Sequence, residues 1–304
     1  MTTRVHDIPR TSSSLVFPGV YDTLSAKMAE RVGFRMAFVS GYAVSATFIG
    51  EPDIGLLTQT EVTDRARRIC QSVKIPIIVD ADTGYGNPLN VLRTVRELIA
   101  AGAAGCFLED QVWPKKCGHM QGKKVITRAE YLGKIRAAID AKGDHDFFLV
   151  ARTDAIADGG LEEALYRAEA AKSAGADATF IEAPRSHDEL TEVGRRAPKP
   201  TVANMIEQGR TPVLPQSELA ALGFQLILYP LTGLYASANA LDLAYRQLLH
   251  DGTTGNIQDQ LITFEQFNAL IGIDERNIVA ERYKAVDPER PLLSVDRRET
   301  NQDS

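Results

Sequence analysis

Short apolar runs alternate with helical periodicity along nearly the whole chain, and this constrains the fold more than any single motif does. The runs lie at residues 15–20, 36–40, 76–80, 105–109, 147–152, 178–182, 201–204 and 226–230. Strands buried on both faces read as continuous apolar runs, and parallel strands need a crossover between them, usually a helix. Helical patterns at residues 23–31, 88–101, 128–141 and 161–173 supply such crossovers. Two of them end in Ala-Gly-Ala, at 101–103 and 174–176, a helix stop ahead of the next strand. Eight strand–helix units predict an α/β fold, a (β/α)8 TIM-type barrel. A doubly wound open sheet is the alternative, but it needs fewer strands, and the first run lacks the glycine-rich phosphate turn that follows it in such folds. A helical pattern at 231–250 and further ones at 264–270 and 274–283 exceed what a barrel needs. The expectation is one domain over residues 1–286 with a C-terminal helical extension, and a polar, partly disordered tail at 287–304.

Polar residues recur where the strands end. Ser40, Asp80, Asp82, Glu109, Arg152, Asp154, Glu182 and Asn204 all fall at or just past the carboxyl end of a run. Any one of them is explained by a helix cap or a turn. Their repetition after nearly every strand is not, because a barrel gathers those ends onto the face that carries active sites.

Two motifs supply the chemistry. Asp80-Ala81-Asp82-Thr83-Gly84-Tyr85-Gly86 places two carboxylates on one strand end, and Glu109 ends the neighbouring strand. With Asp53, these oxygens suit a hard cation, Mg2+ or alternatively Mn2+, that keeps most of its waters. The second motif, Lys115-Lys116-Cys117-Gly118-His119, lies in a basic, glycine-punctuated loop that continues through Gln121-Gly122-Lys123-Lys124. Cations beside Cys117 are expected to lower its pKa. The loop is expected to move and close over an anionic substrate.

Composition excludes several classes. A net charge of −6 with 7% aromatic residues argues against a nucleic-acid surface. No apolar run approaches the roughly 18 residues that cross a bilayer, and the first residues lack a signal-peptide core. Three widely spaced cysteines, Cys70, Cys106 and Cys117, fit a reducing, cytoplasmic setting without disulfides.

The Lys-Lys-Cys-Gly-His loop, the Asp-x-Asp segment and Ala151-Arg152-Thr153-Asp154 together resemble the isocitrate lyase/phosphoenolpyruvate mutase superfamily, over residues 17–272. Cys117 places the resemblance in its carbon–carbon lyase branch. The resemblance implies Asp80 as the direct metal ligand, with Asp53, Asp82 and Glu109 holding the metal's waters. It implies that Ser40, Gly41 and Tyr42 bind substrate carboxylate through backbone amides and the serine hydroxyl. Arg152 would bind the oxyacid end, with Gly118, His119, Glu182 and Asn204 around the substrate. Cys117 would be the proton donor, Lys116 and His119 would neutralise developing charge, and Tyr42 or Glu109 would be the base. It also implies a homotetramer whose subunits exchange the eighth barrel helix.

Within that branch, Lys116 and the seventh-loop sequence Asn204-Met205-Ile206-Glu207-Gln208-Gly209 depart from the methylisocitrate lyase pattern. They sit closer to the 2,3-dimethylmalate lyases, oxaloacetate acetylhydrolases and petal death proteins. The expected substrate is a small malate-like dicarboxylate, best 2,3-dimethylmalate. Oxaloacetate or methylisocitrate cleavage, or an inactive metabolite-binding barrel, are the alternatives. Met205 and Ile206 are expected to suit alkyl substituents if they face the pocket.

Overall fold

The computed structural model describes residues 5–7, 14–120 and 122–284. Eight parallel strands close into a barrel in sequence order. They are β1 (Leu15–Val20), β2 (Ala37–Val39), β3 (Ile77–Asp80), β4 (Gly105–Leu108), β5 (Phe148–Thr153), β6 (Ala178–Ile181), β7 (Thr201–Asn204) and β8 (Leu226–Tyr229). β1 pairs with β8 from Leu15 opposite Leu226 to Pro18 opposite Tyr229, which closes the ring. At that seam the backbones run so close that a Cβ on Gly19 would lie 2.0 Å from the Pro230 carbonyl oxygen. The barrel is the expected one, and its strand ends differ from the sequence reading by one residue, within ordinary fraying.

The helices between the strands are α1 (Thr23–Val32), α2 (Gly41–Val44), α3 (Gln59–Ser72), α4 (Pro88–Ala101), α5 (Arg128–Lys142), α6 (Ile156–Ser173), α7 (His187–Arg196) and α8 (Gln216–Leu222). Reciprocal capping boxes start four of them, at Asp22/Ser25, Thr58/Glu61, Asn87/Asn90 and Thr127/Glu130. Each satisfies orphan amides at the helix start, so the preceding loop can end abruptly. α6 begins five residues earlier than the sequence pattern suggests. Gly160, at φ +83°, kinks it without ending it.

Alternation along the strands builds two apolar shells. Ile78, Phe107, Phe180 and Leu228 point into the barrel, whereas Ile77, Val79, Cys106 and Leu108 face the helices. Inside, the Phe107 ring packs 4.7 Å from Phe38 and 5.6 Å from Phe180, centroid to centroid. These rings fill the barrel's middle, beneath the polar side chains at its carboxyl end.

After β8 comes α9 (Thr232–Asp251), which has no buried residue. The chain forms two compact units, residues 1–257 and 258–304. The second carries the additional helices α10 (Phe264–Ile271) and α11 (Ile273–Arg282). The polar tail inferred at 287–304 lies outside the described residues. No described helix is long and apolar enough to cross a membrane.

Candidate active site

At the carboxyl ends of the strands, a cavity of about 40 Å³ is lined by Ser40, Tyr42, Asp53, Asp80, Lys115, Cys117, Gly118, Arg152, Glu182 and Asn204. Phe38, Phe180, Leu228, Ile206, Pro230 and Leu231 complete it. Six separate strand ends and the 115–118 segment contribute, which is why residues so far apart in sequence meet here. Gly41 stands directly behind Asp80, and a Cβ there would approach Asp80 Oδ2 to 3.0 Å. Asp82, Glu109 and His119 sit around the cavity without lining it.

The carboxylates hold together through a cation that the sequence reading placed elsewhere. Lys115 was expected beside Cys117. Instead its buried ammonium lies 2.6 Å from Asp53 Oδ1 and 2.6 Å from Asp82 Oδ1. Burial alone would lower its pKa, but Asp82, Asp53, Asp80 and Glu109 drive it well above the usual lysine value. Asp82 adopts φ +48°, a left-handed backbone that Asp tolerates better than most residues. Lys134 Nζ donates to the Thr83 carbonyl at 2.9 Å and Thr94 Oγ1 to the Gly84 carbonyl at 3.3 Å, so this turn is held from below.

These residues fit a hard cation with few direct protein ligands. Glu109 Oε1 is buried without a hydrogen-bond donor, and Asp82 Oδ1 meets Lys115 as an ion pair off the hydrogen-bonding direction. Burial pushes Asp82 up to about 7 against the pull of Lys115, and pushes Glu109 well above the ordinary range despite Arg152. Such uncompensated oxygens are what a divalent cation and its waters satisfy. Among the described residues, no three potential ligands converge tightly enough to chelate a metal by themselves.

Cys117 departs from expectation. Partly buried on the loop, its thiol is pushed up to about 11, first by burial, with Asp53 and Glu182 adding to it. The nearby lysines do not lower it, because Lys115 is turned onto the aspartates and Lys116 is exposed at the surface. Cys117 is therefore a thiol at neutral pH. Lys116 does not line the cavity, which removes the reason to assign it charge neutralisation.

His119 also differs. The Arg210 backbone N–H donates to its Nδ1 at 2.9 Å, so the neutral ring carries its proton on Nε2, 3.4 Å from Glu182 Oε1. Burial lowers its pKa below 6.5, with Lys123 and Arg152 opposing a further charge. The ring is neutral rather than a cation, and its buried Nε2 has no hydrogen-bond partner. Gly118 lies so tightly on the pocket that a Cβ there would fall 2.0 Å from Glu182 Oε1 and 2.6 Å from Arg152 Nη2.

Arg152 is held by Asp154, whose Oδ2 accepts from Nε at 2.9 Å and whose Oδ1 accepts from Nη2 at 3.2 Å. Its Nη2 is also 3.2 Å from Glu109 Oε2. Beneath, buried Asp110 accepts from Thr153 Oγ1 at 2.6 Å, from the Asp154 amide at 2.8 Å and from Arg167 Nη1 at 3.0 Å. Lys123, read from sequence only as loop charge, is buried against Asp154 and the Gly118 carbonyl. A basic loop gives no sequence signal for which of its lysines turns inward.

Three further placements correct the sequence reading. The Ser40 amide donates to the Val20 carbonyl at 3.1 Å, so it is not available to substrate. The Gly41 and Tyr42 amides, in the first turn of α2, have no carbonyl within the helix to bond. Met205 is fully buried among the residues packed outside the barrel, whereas Ile206 lines the cavity. Tyr235, on α9, was not anticipated. Burial and the neighbouring Tyr42 and Cys117 push its hydroxyl up to about 12. The loop itself is seated: the Cys117 amide donates to the Asp53 carbonyl at 3.1 Å, and Gln111 brackets the Lys116 backbone at 2.8 and 3.0 Å. Gln121 lies outside the described residues.

Residues 6–249 match the family model described as phosphoenolpyruvate phosphomutase. The chain is 52% identical, over 92% of its length and 84% of the relative's, to carboxyvinyl-carboxyphosphonate phosphorylmutase, chloroplastic, of Arabidopsis thaliana. It is 43% identical to the 2,3-dimethylmalate lyase of Eubacterium barkeri, over 92% and 97% of the two chains. The solved structure of an oxaloacetate acetylhydrolase with the inhibitor 3,3-difluorooxalacetate superposes with a TM-score of 0.86 at 35% identity, covering 92% and 96% of the two chains. The relatives' names span mutase and lyase chemistry. The protein belongs to the phosphoenolpyruvate mutase/isocitrate lyase superfamily and is a carbon–carbon lyase within it.

Proposed function

We propose that the protein cleaves the C2–C3 bond of a small malate-like 2-hydroxy dicarboxylate in the presence of Mg2+, with 2,3-dimethylmalate giving pyruvate and propionate as the best candidate. The observation that carries this reading is the two-sided cavity, with Arg152, Ser40 and the carboxylate cluster among its polar lining and Ile206, Leu228 and Leu231 among its apolar lining. A polar wall suits the carboxylates and hydroxyl, and an apolar wall suits methyl groups. The small cavity also favours a second reading, oxaloacetate cleavage to oxalate and acetate, because that substrate carries no alkyl branch.

Bound at Asp80, Mg2+ would act as a Lewis acid that stabilises negative charge on the substrate's oxygens. Arg152 orients the C1 carboxylate, and the Gly41 and Tyr42 amides offer hydrogen bonds to it. Of the two candidate bases, Tyr42 lines the cavity and Glu109 does not, which supports Tyr42, as its phenolate, as the group that takes the C2 hydroxyl proton. The C2–C3 electron pair then passes to the departing acid as its enediolate, and the Cys117 thiol protonates C3. The proton taken from the hydroxyl balances the one delivered to carbon. The raised Cys117 pKa supports this role, since the donor must hold its proton at neutral pH.

The assembly we propose is a homotetramer with exchanged α9 helices, in a reducing, cytoplasmic setting that three free thiols suit. The support lies in α9, where Leu249 is 88% and Tyr245 63% exposed. It lies also in an apolar cavity of about 560 Å³ along β1 and α1, lined by Val16, Leu24, Met28 and Val32. Light scattering that returned a monomer at micromolar concentration would count against exchange. The function is tested with a panel of 2,3-dimethylmalate, 2-methylisocitrate, oxaloacetate and alkylmalates, with product identification. One methyl in an apolar pocket is worth about 1–3 kcal/mol, so dimethylmalate should lead in kcat/KM. A clear preference for oxaloacetate would move the assignment to the second reading. No Mg2+-dependent release of a 2-oxo acid or of oxalate would favour a binding-only barrel.

A further inference from the structure

We propose that Lys123 is a positioning residue that locks residues 115–120 over the cavity, bridging the Gly118 carbonyl to Asp154 and through Asp154 to Arg152. The side chain of Lys123 is 1% exposed and that of Asp154 is 0% exposed. The ammonium donates to Gly118 O and lies 2.5 Å from Asp154 Oδ1. Taking both charges out of water is costly and is repaid only by good geometry and full partnering. Both conditions hold here, because Asp154 also accepts from Arg152 Nε and Nη2.

The ion pairs show what the bridge does. In this buried layer Arg167 from α6 meets Asp110 and Glu163, and Arg152 from the barrel meets Glu109 and Asp154. The third cation, Lys123, arrives from the loop. Lifting the loop would withdraw that cation from a buried carboxylate, so the seated position is electrostatically favoured. Gly118 lies between Cys117 and His119, so pinning its carbonyl fixes the direction of both side chains. Since Lys123 and Arg152 share Asp154 Oδ1, the same contact steadies the guanidinium that faces the cavity. Lys123 thus acts through Gly118 and Asp154 and does not itself line the cavity.

The inference rests on the proposed function only for its kinetic consequence. The test uses Lys123→Met, which keeps the length and removes the charge, Lys123→Arg, which keeps the charge, and Asp154→Asn. Alkylation of Cys117 by iodoacetamide, followed by peptide mass spectrometry without substrate, reports how often the loop lifts. Lys123→Met and Asp154→Asn are each expected to speed Cys117 alkylation about tenfold or more, with fully buried Cys106 unreactive throughout. Lys123→Arg should recover most of the protection. With the best substrate of the panel, Lys123→Met should lower kcat by about 10–100-fold, with a smaller change in KM. Reaction of Cys106 in Lys123→Met would report unfolding, and Asp154→Asn then decides alone. Cys117 reactivity within about twofold of wild type, in Asp154→Asn and in any folded Lys123→Met, would overturn the proposal. If the wild type cleaves none of the panel, the functional reading fails while the alkylation result still decides Lys123.

Discussion

Gly118→Ala tests whether the loop's seat is as tight as its geometry implies. An added Cβ would lie 2.0 Å from Glu182 Oε1, 2.5 Å from its Cδ and 2.6 Å from Arg152 Nη2. Real Cβ atoms essentially never come closer than 3.0 Å, so the backbone at 118 or its two partners must shift by about 1 Å. Neither partner yields easily. Glu182 is bonded to Asn204 at 3.2 and 3.3 Å, and Arg152 is gripped by Asp154. The loop therefore gives way, carrying Cys117 and His119 with it. A displacement of that size typically costs about 100-fold in rate, or about 2.7 kcal/mol of transition-state stabilisation. The assay is kcat/KM on the preferred substrate at saturating Mg2+, paired with a thermal melt. The melt should shift far less than the rate, since the clash is relieved in the loop and leaves the barrel's apolar core intact. Activity within threefold of wild type would refute the reasoning.

Cys117→Ser should retain substrate and Mg2+ binding while losing about 10²–10⁴-fold in kcat, since a hydroxyl is a far weaker acid than a thiol. Because burial raises Cys117 to about 11, the protonated thiol persists through neutral pH, and activity should not fall on an alkaline limb from Cys117 below about pH 10. A limb assigned to Cys117 near pH 7, by its loss in Cys117→Ser, would refute the corrected pKa. Asp80→Ala should abolish Mg2+ binding in a calorimetric titration, and unchanged affinity would sink its assignment as direct ligand. Lys115→Met should leave Asp53 and Asp82 facing each other without their cation. Chemical denaturation should show a loss of about 3–5 kcal/mol, reduced when Mg2+ is added.

Local pattern was enough to read the barrel and its catalytic end from sequence. Alternation and run length depend on neighbours a few residues apart, and a parallel strand buried on both faces leaves an apolar run that a linear reading detects. Polar residues such as Asp80, Arg152 and Asn204 closed those runs, and the barrel's topology then required them to converge. The direction of individual side chains was not legible. Met205 and Ile206 are adjacent, so one had to face outward, but the alternation at the frayed end of β7 did not say which. Lys115, Lys116, Lys123 and Lys124 are equivalent as a string of charges.

The sequence by itself determined the order of strands and helices and the presence of carboxylates at their ends, because these are properties of composition and period, and the cysteine loop was identified by its resemblance to the superfamily. Only the tertiary structure decided that Lys115 neutralises Asp53 and Asp82, that Lys123 reaches Asp154, and that Cys117 is a protonated thiol. The physical reason is desolvation. Whether a cation lowers a neighbour's pKa depends on where its charge points, and whether burial overrides it depends on what covers the group. Both are set by segments distant in sequence, such as Asp53 against Lys115, Asp154 against Lys123 and the Arg210 amide against His119.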